Sequence, residues 1–372
     1  MNTQQIYTLV NAVNSQAYGS TALTVVDTQG LISLGNVVLS STQNTESFLN
    51  VLVQRIGRTI ISSRQYRNKL NDMVLNDFEY GAILQKIRVH LTDAEEDPAY
   101  NLTDAGTVDP WTINKPDVEQ KHFVTRTPYM FHVTIAREQL KEAFLSESAM
   151  GGFIGAIFLQ VRNSIEVSLE NLGRLAIANM IAESAGTSRE IALVSMYNDA
   201  IGESGQAVTA DTALLNPDFL RYAVAQIQNI SDYLTDMTTS YNDGTIESFT
   251  PKGDQRLRVL SLFERALETV VQYSAFHEEM VSLDAYSTIN FWQSEKTKDS
   301  LNIKRASDGE AITKANIVAV LHDRDALGIY KEDVDILTTP VNAKGMYYNT
   351  YYHQKELWFN DKSENFVFFT LN

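Results

Sequence analysis

The side chains that could do chemistry are spaced poorly for it. The chain contains no cysteine, which removes disulfides, thiolate metal ligation and cysteine nucleophiles together. Gly202-Glu-Ser204-Gly205 approaches the strained turn that exposes a serine hydroxyl to an acyl carbon, but its spacing is wrong and it lies in a linker-like stretch. His277-Glu278-Glu279 lacks the second histidine that a zinc-binding helix places one turn on. Asp93-Ala94-Glu95-Glu96-Asp97 offers carboxylate oxygens to a calcium ion without the alternating spacing or the sharp glycine turn of a calcium loop, and reads as a solvated or partner-facing acidic tip. The histidines His90, His122, His132, His277, His322 and His353 are scattered and read as surface or hydrogen-bonded groups. No glycine-rich phosphate cradle occurs. With 46 acidic residues some carboxylate pairs will be close in any fold, so their abundance does not single out a glycosidase. No catalytic residue, cofactor or metal is expected.

Charge bounds the partners. Thirty Lys and Arg against 46 Asp and Glu give a net charge of −16, which opposes a body built to clamp phosphate backbones. The opening Met1-Asn-Thr-Gln-Gln carries no basic region ahead of an apolar one, and no apolar run approaches the ~18–20 residues of a membrane span. A soluble, unsecreted protein is expected. At 372 residues and 44% hydrophobic content, two or more compact units are expected.

The elements that must position any function follow from periodicity. Residues 1–45, rich in Asn, Gln, Ser and Thr, hold too little apolar surface for an independent core and read as an arm draped over something else. Thr45 is a plausible N-cap for a helix over roughly 46–58, carried by Phe48, Leu49, Leu52, Val53 and Ile56. Arg55, Arg58, Arg64, Arg67 and Lys69 then place five positive charges and no negative one in residues 55–69. This segment fits a solvated helix end, a docking surface for the acidic tip of a neighbouring copy, or a phosphate-facing lining.

The segment 77–137 reads as an extended loop. Ile83, Gln85, Ile87, Val89 and Leu91 alternate with Leu84, Lys86, Arg88 and His90, predicting a strand apolar on one face. A second strand runs through Phe123, Phe131, Val133 and Ile135. Between them, residues 92–119 form a tip without steady period, and residues 91–120 carry a net charge of −7. A structureless connection of that length is expected to find its order on another molecule. A spine helix is predicted over 138–184, broken near Gly151 and Gly152, with Gly155 and Gly173 explained by close packing. Residues 184–210 read as a linker. Within 185–330, Asn216-Pro217 starts a helix and Ile317–Leu321 forms a buried strand, giving a mixed α/β domain. Aromatic and β-prone residues over 331–372 predict a closing hairpin around Asn360-Asp361-Lys362-Ser363, with the aromatic cluster as core.

This order resembles the tailed-bacteriophage major capsid proteins of the Hong Kong 97 type, and within them those of the small short-tailed phages typified by phi-twenty-nine. Arg55-Ile56-Gly57 resembles an Arg-Ile-Gly of that family, and Leu140-Lys141, Ala143-Phe144 and Ser146 are similar to its Leu-Lys-x-Ala-Phe-x-Ser. Asp93-Ala94-Glu95-Glu96 resembles an Asp-Ala-Glu-Glu of its projecting loop. Ala319-Val320-Leu321 with Asp323, Asp325 and Tyr330, and Gly345 with Tyr347, Asn349 and Tyr351-Tyr352-His353, extend the likeness over residues 46–370. The resemblance implies an α+β capsid fold: N-terminal arm 1–45, first helix and basic segment of a peripheral domain 46–76, extended loop 77–137, spine helix 138–184, axial domain 185–330, and strands 331–372 returning to the peripheral domain. It implies a shell subunit of pentameric and hexameric capsomers, assembled in the host cytoplasm with a scaffolding protein and a portal protein. The shell would enclose double-stranded DNA without sequence-specific contact. No membrane partner, cofactor or inter-subunit lysine–asparagine crosslink is expected. Members of that group can carry an additional C-terminal immunoglobulin-like domain; the sequence stops at Asn372 without one, so its decoration is expected to be absent. A nanocompartment shell of the same fold and, remotely, an acidic soluble hydrolase are the alternatives. The inter-subunit contact expected is between Asp93, Glu95, Glu96 and Asp97 of one copy and Arg55, Arg58, Arg64, Arg67 and Lys69 of the next.

Overall fold

The structure, a computed structural model, describes residues 3–19, 24–56, 66–76, 84–94, 96, 111, 113–124, 127–202, 207–273 and 286–372. In chain order, helices α1 (Thr3–Tyr18), α2 (Thr28–Leu39) and α3 (Thr42–Ile56) precede strands β1 (Val74–Asn76), β2 (Leu84–Val89), β3 (Val118–Phe123) and β4 (Thr127–Ala136). Helices α4 (Arg137–Ala143) and α5 (Glu147–Ser184) follow, then β5 (Glu190–Ala192), α6 (Leu193–Ile201), α7 (Ala210–Ala213), α8 (Pro217–Tyr233), β6 (Gln255–Leu260) and α9 (Ser261–Tyr273). The last strands are β7 (Tyr286–Ile289), β8 (Leu301–Lys304), β9 (Ala311–Lys314), β10 (Ile317–Asp323), β11 (Leu327–Thr338), β12 (Tyr347–Asn360) and β13 (Phe366–Thr370).

The first compact unit comprises Met1–Glu79, Arg126–Gly173 and Ile329–Leu357. Its sheet runs β1-β11-β12-β4, with β12 antiparallel to β4 from Tyr347 opposite Ala136 to Glu356 opposite Thr127. The apolar stripes of α1, α2 and α3 (Ile6, Val10, Val13; Leu31, Leu34, Val38; Phe48, Leu52) bury against Val133, Ile135, Ile154 and Tyr348. This corrects the reading of 1–45 as an arm ordered elsewhere. Each short stripe is too small for a core of its own, but three of them stacked on one sheet and the start of α5 complete one. A polar tie adds to the apolar contact: Glu147 accepts hydrogen bonds from Tyr7 Oη and Thr28 Oγ1, each at 2.9 Å. The backbone N–H at the start of α5, then Thr28 and Tyr7, hold the Glu147 carboxyl below its usual pKa. Thr45 is no cap either; it lies buried inside α3, its hydroxyl donating to the Val38 carbonyl at 2.9 Å.

Helix α5 starts earlier in space than its glycines suggest. Ser146 Oγ accepts from the Ala149 N–H, so the break falls between Phe144 and Ser146 while Gly151 and Gly152 lie within the helix. Its 38 residues span roughly 57 Å at 1.5 Å each. They divide between the units at Gly173, so the 138–184 segment is not one domain's property. Gly173 does pack closely, since a Cβ there would sit 3.0 Å from Leu70 Cδ1, but Gly155 faces open space.

The second unit comprises Tyr80–Thr125, Arg174–Gly328 and Trp358–Asn372, around a sheet of order β5-β13-β10-β6-β7. Strands β10 and β13 are buried along their whole length. On one face Leu257, Val259, Ala319, Leu321 and Phe369 meet Phe219, Ala223 and Ile227 of α8 and Phe263 of α9. Helix α8 starts where the sequence places it: Asn216 Oδ1 accepts from the Asp218 and Phe219 N–H groups. The supposed linker 184–210 contains β5 and α6, because β13 offers β5 a parallel edge. The strands flanking Asn360–Ser363, β12 and β13, do not pair as the expected hairpin; β12 lies between β11 and β4 instead. Most of β12 belongs to the first unit and β13 to the second, where β10 is its neighbour. The predicted second strand likewise divides: β3 pairs with β2, and β4 with β12.

Two glycines give opposite expectations for the unassembled protein. An alanine Cβ at Gly35 would stand 2.6 Å from Phe144 Cβ, so Gly35→Ala should destabilise by about 1–3 kcal/mol through overpacking. Gly155→Ala, in open helix surface, should stabilise by up to about 1 kcal/mol. Thermal unfolding of both variants checks the signs.

Candidate assembly interface

The hairpin of β2 and β3 pairs Leu84 with Phe123, Lys86 with Lys121, Arg88 with Glu119 and, on the alternate set, Gln85 with His122, Ile87 with Gln120 and Val89 with Val118. Side-chain period two therefore makes one face ionic and the other apolar and neutral. The ionic face lies on the second unit. Lys86 Nζ meets Asp361 Oδ2 at 2.7 Å and also pairs with Glu364. Arg88 pairs with Glu364 and donates to the Ser363 carbonyl at 3.0 Å and Ser248 Oγ at 3.2 Å. Lys121 Nζ lies 3.4 Å from Asp361, 3.5 Å from Asp243 and 3.5 Å from Glu119. Phe123 packs on Phe359 with ring centroids 5.2 Å apart.

Register explains why this cluster is needed. Like charges directly opposite on a ladder destabilise it, and Lys86 faces Lys121. The Asp361 side chain, 0% exposed, lies within ion-pair distance of both. Ser363 donates to Asp361 through its hydroxyl at 2.7 Å and its N–H at 3.1 Å, and Ser248 Oγ donates to Glu364 at 2.9 Å. Burial alone would push the Asp361 pKa up, but Lys86, Ser363 and Lys121 together hold it below the usual value. Lys121 is desolvated, which opposes its charge, yet Asp361, Asp243 and Glu119 raise its pKa.

The outer face has no such use among the described residues. Ile87, Val89, Leu91 and Val118 are 60, 56, 59 and 49% exposed. The sequence identifies an apolar face on this strand; the structure turns that face outward. Farther along, Asp93 and Glu96 are exposed, as are Trp111 and Ile113, while Glu95, Asp97, Asp104 and Asp109 lie outside the described residues.

Of the basic segment, Arg67 and Lys69 are exposed. Around them the backbone is strapped to α5: the Tyr66 N–H donates to Asn163 at 3.0 Å, that of Asn68 to Glu166 at 3.2 Å and that of Lys69 to Glu170 at 3.3 Å. Arg58 and Arg64 lie outside the described residues, and Arg55 is described only as part of α3. Arg67 and Lys69 belong to the first unit and Asp93 and Glu96 to the second. Periodicity misses Asp243, Asp361 and Glu364. Two cations alternating along β2 are the available signal that a carboxylate partner exists, but not where.

Among the described residues, no group of His, Asp and Glu could hold a metal ion. His322 is buried, its Nδ1 at 2.7 Å from the Asp323 carbonyl while Nε2 accepts from Arg258, a neutral core histidine. A groove of about 350 Å³ beside β4 is lined by Val133, Ile135, Phe153 and Ile157, with Glu142 its one titratable residue. Ser204 and His277 to Glu279 lie outside the described residues. No described helix is long and apolar enough to cross a membrane.

Comparison with known proteins gives a concordant answer. The family described as Phi29-like phage major capsid protein matches residues 10–370. The major capsid protein of Bacillus phage B103 is 24% identical over 349 residues, covering 93% of this chain and 69% of the relative. That of Streptococcus phage Cp-1 is 24% identical over 317 residues, covering 84% and 79%. A chain in the capsid structure of Staphylococcus phage Andhra superposes with a TM-score of 0.54 at 10% identity, covering 84% of this chain and 87% of that one. The fold is thus α+β of the Hong Kong 97 type.

Asp361 gives the hairpin cluster a pH signature. Its depressed pKa contributes stability that is present above the ordinary carboxylate value of 3.8 and is lost as pH falls through the lower folded value. Asp361→Asn should cost about 1–3 kcal/mol at pH 7, because Lys86 and Lys121 lose the buried carboxylate they share while keeping Glu364 and Asp243, and the deficit should shrink below the ordinary value. Denaturant unfolding at pH 7 and pH 3 measures both.

Proposed function

Because the chain belongs to the Phi29-like phage major capsid protein family, whose members build the shells of tailed bacteriophages, we propose that it joins its copies through the outer face of the β2–β3 hairpin and catalyses no reaction. It is a shell-forming structural protein and a component of the virion. The observation that carries the proposal is the uncovered row Ile87, Val89, Leu91 and Val118 on a hairpin whose opposite face forms ion pairs with its own chain. Covering four half-exposed side chains gains on the order of 1 kcal/mol each, and repetition around a closed shell multiplies that small term.

The remaining features fit the same reading. The first unit serves as the peripheral domain and the second as the axial domain carrying the extended loop. The acidic tip, with Asp93, Glu95, Glu96 and Asp97, lies in assembled shells against the Arg55, Arg58, Arg64, Arg67 and Lys69 segment of a neighbouring copy. Capsomers of five and six copies form in the host cytoplasm on a scaffolding protein and close around a portal protein. A net charge of −16 suits a container for double-stranded DNA, because a basic lining would bind the genome through counterion release.

Ile87→Asp with Val89→Asp should leave the unassembled chain folded by circular dichroism and abolish shells in negative-stain micrographs; closed shells from this variant would overturn the hairpin's role. Glu95→Lys with Glu96→Lys should weaken assembly, and Arg64→Glu with Arg67→Glu should restore it. An unchanged yield of shells would remove the tip-to-segment contact alone.

A further inference from the structure

The two faces of the hairpin are coupled through its stiffness. A two-stranded ribbon standing alone is marginal in water, so the direction in which it presents a face depends on what holds its base. Here the base is held by charge. Lys86 and Arg88 of β2 and Lys121 of β3 engage Asp361 and Glu364, in the turn after β12, and Asp243, in the loop after α8. The partners are themselves fixed: Asp361 by Ser363, Glu364 by Ser248, and the Asp243 backbone N–H by the Lys362 carbonyl at 2.9 Å. Three cations on a two-stranded ribbon thus meet three carboxylates on a buried turn and its neighbouring loop.

Resting on the reading that the hairpin's outer face joins copies, we propose that this cluster is an ionic clamp that orients the hairpin in the free subunit before any neighbour binds. Binding to a surface that is correctly oriented only part of the time weakens apparent affinity by that fraction. The clamp removes this penalty, and its strength sets the concentration at which shells begin to form. Because Asp361 is buried and the cations are half-covered, salt in the physiological range leaves the clamp closed.

The chain's lack of cysteine makes the test direct. Exposed Gln120 on β3 and exposed Thr239, beyond α8 in the same unit, are replaced as Gln120→Cys and Thr239→Cys and spin-labelled in the full-length unassembled protein. One narrow distance distribution is expected. Lys86→Met, Lys121→Met and Asp361→Asn together leave no buried aspartate charge at the centre of the cluster. They should broaden the distribution and, if orientation is then correct about one-tenth of the time, raise the assembly threshold about tenfold. As a second variant, Lys121→Glu should broaden the distribution and Asp243→Lys added to it should narrow it again. An unchanged distribution in the triple variant, or no rescue by the exchange, overturns the clamp. Broadening with an unchanged assembly threshold instead overturns the hairpin's role in joining copies.

Discussion

Two lysines face each other across a two-stranded ladder, and a buried aspartate lies between them. That arrangement is the constraint on which the functional surface depends. Lys86 opposite Lys121 is tolerable only with a carboxylate in reach, and Asp361 is ionised in its buried position only with the cations in reach. Each half is unstable without the other. Since side chains alternate, committing the ionic face inward commits Ile87, Val89 and Val118 outward, and a one-residue slip of register would exchange the two.

Each unit is stabilised within itself in a different way. In the second, β10 and β13 are buried throughout, and β13 leads directly from the 361–365 turn into a rigid sheet. In the first, three short helices that could not fold alone close one core over the β1-β11-β12-β4 sheet, with Glu147 tying two of them to the start of α5. The N-terminal segment is therefore part of the subunit's own stability. Of the extensions expected to be incomplete, it is the hairpin that retains an uncovered face.

How much of this was legible in the sequence follows the range of the interactions involved. Local rules find the Asn216 cap of α8, the buried strand β10 and the hairpin's strand β2, because capping and alternation are decided within a few residues. They cannot find Asp361 and Glu364, which lie some 240 to 280 residues from their cations. Nor can alternation say which face of β2 turns inward; an apolar row usually faces the core, but here the core's carboxylates claim the opposite row. Helices α1 and α2 escape the same rules because a weak apolar stripe is uninformative until the surface that receives it is known. Gly155 shows the reverse error, a helix glycine assigned a packing partner it does not have.

The central claim is that the hairpin divides its faces between its own subunit and a neighbour. A cryo-electron microscopic reconstruction of assembled shells tests it most directly. The account predicts Lys86 and Lys121 still beside Asp361 within each subunit, with Ile87, Val89 and Val118 covered by an adjacent copy. Finding those three side chains in solvent, or folded onto their own subunit, would contradict it.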